Sequence, residues 1–303
     1  MNEWPLIIFT ILAQMSVGAF VMLELVHLYV SRKAGEAEAD RFTDRALWAI
    51  IVTLGLGLLA SILHLGNPLG APRAITNLAT SWLSREIAFS AAFFTLAAVF
   101  VFLQWFKKGS AMVRNVVAVV ASLAGVGLVV SMSVAYMLPS QPAWNTPATL
   151  IRFFATALLL GAVALCVAFY VNYLINKRQD PACENCQADV LRDVMGKLSI
   201  VALVMLGVEF IVIPASLAAL TAQGGAAAIS AALVGSTYRA MFVIQMLLAF
   251  LGVGVCGVAL LLNARSTTVS RLGALAVSAF VLVLAAEVVG RFLFYATRVS
   301  LGL

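Results

Sequence analysis

Eight apolar stretches dominate this chain, at 5 to 30, 46 to 65, 86 to 106, 111 to 137, 149 to 175, 196 to 220, 237 to 262 and 272 to 297. Each is about 20 residues or longer, the length an α-helix needs to cross a bilayer. None shows the short alternation of an outer-membrane barrel. The expectation is therefore an all-α integral membrane protein with eight transmembrane helices. No soluble domain fits between spans whose largest gap is about 20 residues, so 1–303 reads as one transmembrane domain. Composition agrees: 63% hydrophobic and 11% charged residues lie far from the ~45–50% apolar and ~25% charged of soluble domains. The N-terminus "MNEWPLIIFTIL" lacks a basic region, carries Glu3 and continues too long for a signal peptide, so helix one is expected to remain as a span.

A net charge of +6 can point to nucleic acid or an acidic partner, but here its distribution decides otherwise. Alternate loops hold Arg32, Lys33, Arg41 and Arg45, then Lys107, Lys108 and Arg114, then Lys177, Arg178, Arg192 and Lys197, then Arg265 and Arg271. Those are 13 of the 19 Lys and Arg, all on one side, which the positive-inside rule assigns to the cytoplasm. Both termini then lie outside, on the periplasmic face of a cytoplasmic (inner) membrane, and no nucleic-acid partner is expected. "SRKAGEAEADRFTDR" reads as a solvated cytoplasmic loop. Two four-helix groups are one way to pack eight spans, and no fixed-period repeat decides it.

The six remaining basic residues, Arg73, Arg85, Arg152, Arg239, Arg291 and Arg298, all fall in the outer half, and all are arginine. Arginine holds planar acceptors in a bidentate fork and tolerates partial burial, so the bias points to defined partners; the plainer alternative is headgroup anchoring. His64, Glu86, Tyr136 and Trp144 collect on the same side. In "AEVVGRFLFYATR", Glu287, Arg291 and Tyr295 follow at i+4 steps, a polar stripe with the favourable order for a Glu–Arg salt bridge. That pair reads either as site or as an ion pair locking the last helix. Ionisable groups inside a membrane are costly, which makes function the default hypothesis. Glu24 and His27, three apart, are a candidate proton-handling or interfacial pair, and Glu209 a candidate acid bonded to backbone that Pro214 frees.

Haem in a bundle is usually held by two histidines, and His27 and His64 fall at opposite faces of a ~30 Å core. No haem is expected. Cys166 and Cys256 lie in spans and Cys183 and Cys186 in a loop, a pattern that matches no four-thiolate cluster. No iron–sulfur cluster and no metal site are expected in this chain, and "CENC" reads as two reduced loop thiols. What remains is a mostly apolar ligand entering from lipid, such as a quinol. Its site needs an apolar slot, donors for the oxygens and a base near neutrality, which histidine suits best.

At these residues the sequence resembles a known family, the DmsC-type membrane anchor subunit of dimethyl sulfoxide reductase, and more distantly the polysulfide reductase-type anchors. "NEWPLIIFT", "ILHLGNP" followed by "LSREIAF", and "LAAEVVGRFLFY" carry the resemblance in order over nearly the whole chain. It implies a non-haem anchor that oxidises menaquinol and passes electrons to a four-cluster iron–sulfur subunit, which feeds a molybdopterin catalytic subunit. The reductase chemistry would then belong to partner chains. The family's quinol-site histidine falls on His64 and its acid on Glu86, with Arg85, Tyr136, Glu287, Arg291 and Tyr295 as further candidates for the pocket. Arg73, Arg85, Trp144, Arg152 and Arg239 are the candidates for docking the iron–sulfur partner on the periplasmic face. The chain departs from the family pattern at Arg85 and in "CENC", and related anchors serve several reductases, so the terminal acceptor stays open. The rival readings are a secondary transporter using Glu24, Glu209 and Glu287 as an ion path, and a purely structural anchor.

Overall fold

Pro5 in its first turn and Gly35 at φ +91° bound the first helix, α1 (Trp4–Ala34). The computed structural model describes residues 3–64, 77–179, 184–263 and 268–301, and the backbone alone at 63–64, 184–186 and 263. After Gly35 the chain re-enters a helix at once as α2 (Glu36–His64), so most of the segment expected as a loop is helical. The reason lies in its spacing. Ala39, Phe42 and Ala46 recur on one helical face and are buried, while the acids at Glu36 and Glu38 suit the positive end of the new helix. The helix thus extends beyond its apolar run because its amphipathic start has a surface to cover.

Ser81 and Ser110 start the next two helices by accepting hydrogen bonds from the N–H groups of Ser84 (3.2 Å) and Val113 (3.3 Å). These are α3 (Trp82–Trp105) and α4 (Ala111–Tyr136). Then come α5 (Pro147–Gln179) and α6 (Glu184–Gln223), which passes through Pro214 and begins a dozen residues earlier than its apolar run. Its added turns bury Val190, Leu191, Val194 and Met195. A short helix that the hydropathy pattern does not announce, α7 (Gly225–Gly235), follows Gly224 at φ +74°. The seventh span is composite: α8 (Arg239–Ala249), a π-helical turn (Phe250–Val255) and α9 (Cys256–Asn263). The last is α10 (Val269–Ala296). Among the described residues eight helical spans are long and apolar enough to cross a membrane, as the sequence predicts, and the chain is a multi-pass membrane protein.

The spans pack as two groups of four, α1 to α4 and α5 to α10, joined chiefly where α1 meets α5. These two are the inner helices: 78% of the apolar window of α1 and 61% of that of α5 are buried, against 28–50% for the others. Small residues make the seam. A Cβ on Gly18 would lie 1.8 Å from the carbonyl oxygen of Ala157, and one on Gly161 would lie 2.5 Å from the amide nitrogen of Ala19. Backbones this close are the usual means by which helices gain packing in lipid, where apolar burial alone gives no drive.

Polar contacts define the two ends. Glu3 and Arg298 approach to 3.7 Å, and the Leu301 amide donates to Ser140 O (3.0 Å), so both termini share one face. At the opposite face the basic segments meet. Lys107 reaches Asp40 and Asp44, each at 2.8 Å, and Lys33 reaches Asp193 at 2.8 Å. Arg45 donates to Asn172 (2.7 Å), Asn176 and Gln179 (2.9 Å), fastening the start of α2 to the end of α5.

Candidate functional site

The polar residues of the terminal half converge where the two helix groups meet. Glu86, in the second turn of α3, is buried, with 7% of its surface exposed, and makes no hydrogen bond or ion pair among the described residues. Tyr136 at the end of α4 and Tyr295 near the end of α10 share a hydroxyl–hydroxyl hydrogen bond of 2.5 Å, and both lie close enough to Glu86 to feel its charge. Trp144 closes this corner. Its indole donates to Phe294 O (2.8 Å) and stacks on Phe294 with centroids 5.0 Å apart. Phe153 packs against Tyr136 and Phe294 from α5.

Beneath these rings, the buried guanidinium of Arg291 donates to Gln14 Oε1 (2.7 Å) and sits 4.0 Å over the Phe153 ring. The expected Glu287–Arg291 salt bridge does not form. Thr156 donates to Glu287 at 2.8 Å, and its hydroxyl is 3.5 Å from Glu209, so the acid is drawn toward α5 and α6 while the arginine turns to α1. Glu209 accordingly meets Thr156, where the sequence suggested a backbone group freed by Pro214. Arg152, expected on a docking surface, makes no direct bond to Glu209 or Glu287 although it feels both charges, and it lines a cavity.

Trp144, also expected at the docking surface, is buried, and its hydrogen bond and stacking hold the 137–146 loop against α10. Arg85 turns back on its own chain, donating to Leu78 O (2.8 Å) and Ala79 O (2.7 Å) and covering the Trp82 ring, which secures the turn before α3. Arg239 is exposed at the start of α8. His64 closes α2 with its side chain outside the described residues; Arg73, Cys183 and the side chain of Cys186 also lie outside them.

At the basic face Glu24 and His27 do not bond to each other. His27 Nε2 pairs with Asp40 Oδ1 at 3.0 Å, in a cluster with Asp44, Gln104 and Lys107, while Glu24 Oε1 is buried without a partner among the described residues. The i+3 spacing on α1 would let the pair meet, but α2 offers His27 a better-placed acceptor. Among the described residues no three of His, Cys, Asp and Glu are grouped so as to hold a metal ion.

Sequence reasoning did not single out Gln14 or Thr156, the two neutral groups that orient the buried charges. The signal for Gln14 was a lone amide in the middle of the apolar α1. Thr156 offered none, because a threonine is ordinary in an apolar helix, where its hydroxyl can bond its own backbone.

Comparison with known proteins places these features. The sequence is 30% identical to the C subunit of anaerobic dimethyl sulfoxide reductase from Escherichia coli, over 100% of its length and 97% of that protein. It is 33% identical to the corresponding subunit from Haemophilus influenzae over 56% of its length and 59% of the relative's. In fold it is similar to the structure of bd oxidase from Geobacillus thermodenitrificans, with a TM-score of 0.71, 11% identity and coverage of 97% of this protein and 84% of that one. The model of the DMSO reductase anchor subunit (DmsC) family matches residues 1–297. The protein belongs to the DMSO reductase anchor subunit family, and it is a membrane anchor of a reductase complex.

Proposed function

We propose that this anchor oxidises menaquinol at the Glu86 corner and delivers the electrons to a four-cluster iron–sulfur subunit, which supplies a molybdopterin reductase. The observation that carries the reading is a buried carboxylate with no hydrogen bond among the described residues, within electrostatic reach of the Tyr136–Tyr295 hydroxyl pair at the junction of the two helix groups. Oxidation of one quinol releases two electrons and two protons. The ring needs donors and a dry aromatic slot, which the tyrosines, Phe153 and Phe294 supply; its protons need an acceptor, a role for Glu86 with His64. His64 ends α2 within the same terminal half, which supports pairing it with Glu86. Arg291, held by Gln14, fixes a positive charge behind the slot, where it opposes loss of the proton toward the membrane interior.

The electron path is short if the iron–sulfur subunit docks on the terminal face, with Arg73 and Arg239 as its contacts. That face is periplasmic under the positive-inside rule, in an inner membrane. Menaquinol is then a bound substrate, and this protein carries neither haem nor iron–sulfur cluster of its own. A transporter reading gains less support, because Glu24 lies in the basic-face half near Asp44 while Glu209 and Glu287 meet elsewhere.

Purification from membranes under mild detergent tests the assignment. The anchor should come with a brown iron–sulfur subunit and extractable menaquinone. A lone colourless protein would leave only the anchor or the transporter.

A further inference from the structure

A cleft opens at the basic face, where the end of α1 meets the start of α6 and the end of α9. It measures about 590 Å³, within the ~300–1,000 Å³ of small-molecule sites. Three cations, Lys33, Arg192 and Lys197, line it together with two carboxylates, Asp189 and Asp193. The cleft and Glu86 lie at opposite ends of the spans, so the site holds whether or not quinol reacts at that corner.

The charges are held in place. Asp193 accepts hydrogen bonds from Lys33 (2.8 Å), Lys197 (3.0 Å) and the Tyr29 hydroxyl. The Tyr29 ring packs against both ammonium groups, its centroid 5.6 Å from Lys33 Nζ and 4.6 Å from Lys197 Nζ. One acid and one ring thus fix two cations side by side, one from α1 and one from α6. Asp193 is occupied by three donors and its side chain is 20% exposed, whereas each lysine side chain is 51% exposed. An ammonium has three N–H donors, so each lysine keeps a donor for a further acceptor. Asp189, the other acid, has a side chain 81% exposed and lies 3.8 Å from Arg192, in water that screens it. The face offered to a ligand is therefore cationic.

The rest of the cleft is apolar. Ile200 and Leu262 wall it and stand 48% and 74% exposed. From them exposed apolar side chains continue along two adjacent helices: Val204 and Ile211 on α6, Val258 and Val255 on α9. Steps of three, four and seven residues keep each row on one helical face. Two fixed cations thus stand at the mouth of an apolar track, at the end of membrane spans. A free anion would leave the track unused, and a neutral apolar molecule would leave the lysines unused. We propose that this cleft binds an anionic phospholipid, its phosphodiester between Lys33 and Lys197 and an acyl chain along the α6–α9 track.

Photolabelling tests it. The full-length protein, purified with its accompanying subunits, is reconstituted in phosphatidylcholine vesicles containing a minor fraction of phosphatidylglycerol with a diazirine on its acyl chain. Label mapped by mass spectrometry is expected at 200–211 and 255–262, in excess of that left by a phosphatidylcholine carrying the same diazirine. Lys33→Gln combined with Lys197→Gln should lower this excess about tenfold, the effect of two cations at a membrane surface partly offset by Asp193. Lys33→Arg combined with Lys197→Arg should preserve it, which separates loss of charge from loss of fold. Lys108→Gln, exposed on the same face outside the cleft, should leave it unchanged. Inorganic phosphate, with ionic strength matched by chloride, should not displace it. Equal label from the two lipids, full label in the double glutamine variant or an equal fall in Lys108→Gln would overturn the site. Displacement by inorganic phosphate would overturn the lipid as its occupant.

Discussion

Replacing Gly18 by Ala tests how the two helix groups are held together. The added Cβ would lie 1.8 Å from Ala157 O, whereas ordinary Cβ contacts begin at 3.4 Å, so α1 and α5 would have to part by about 1.6 Å. The obstacle is backbone and cannot rotate away. Overpacking a close contact costs about 1–3 kcal/mol, and a displacement this large falls at the upper end. The intrinsic helix gain from Gly to Ala returns about 1 kcal/mol, leaving a net loss of about 2 kcal/mol. Gly207→Ala is the control, because nothing lies within 4 Å of its Cβ position; it should be neutral or stabilised by up to about 1 kcal/mol. Two chemically identical substitutions should therefore differ by about 2–3 kcal/mol. The readout is thermal exposure of Cys166, buried in α5, to a thiol-reactive fluorophore in a background with the other three cysteines replaced. Equal melting temperatures for the two variants would refute the close seam.

Arg291→Lys keeps the charge but loses the guanidinium's flat contact with Phe153 and its reach to Gln14; the same thermal assay should register about 1–2 kcal/mol. Lys107→Ala leaves Asp40 and Asp44 without the cation they share, so stability should fall at neutral pH and recover toward pH 4, where protonation relieves the repulsion. A pH-independent loss would mean that Lys107 acts by packing alone. Orientation is read by cysteine labelling: a cysteine at exposed Ser140 should react with an impermeant reagent from outside and one at Lys33 should not, and the reverse pattern would invert the proposed topology.

The eight spans were legible because hydropathy over about 20 residues is a strong and local signal. Their ends were less so. The start of α2 mixes charges with Ala39, Phe42 and Ala46, and only the surface of α5 reveals why that pattern is helical. Within the site, Glu86, Tyr136, Arg291 and Tyr295 were all marked in the sequence and all fall at one corner, since residues costly to bury in lipid are few. Which of them bond was not legible. The i+4 spacing of Glu287 and Arg291 allows a salt bridge, yet Thr156 and Gln14, on helices more than 100 residues away in sequence, win both partners. Trp144 shows the same limit: a loop tryptophan reads as exposed until its hydrogen bond to Phe294 O places it inside.

The central claim is that quinol gives up its protons at the Glu86 corner, and stopped-flow reduction of the partner's iron–sulfur clusters in the assembled complex tests it most directly. Each variant is measured twice, once with a menaquinol analogue and once with an artificial donor that bypasses the membrane. Glu86→Gln and His64→Ala should slow the quinol reaction by about 10²- to 10⁴-fold for the residue acting as base, with the smaller effect for the other. The artificial donor should reduce the clusters at the normal rate in both. Normal quinol rates in both assembled variants would contradict the account, and a loss with both donors would make the residues structural.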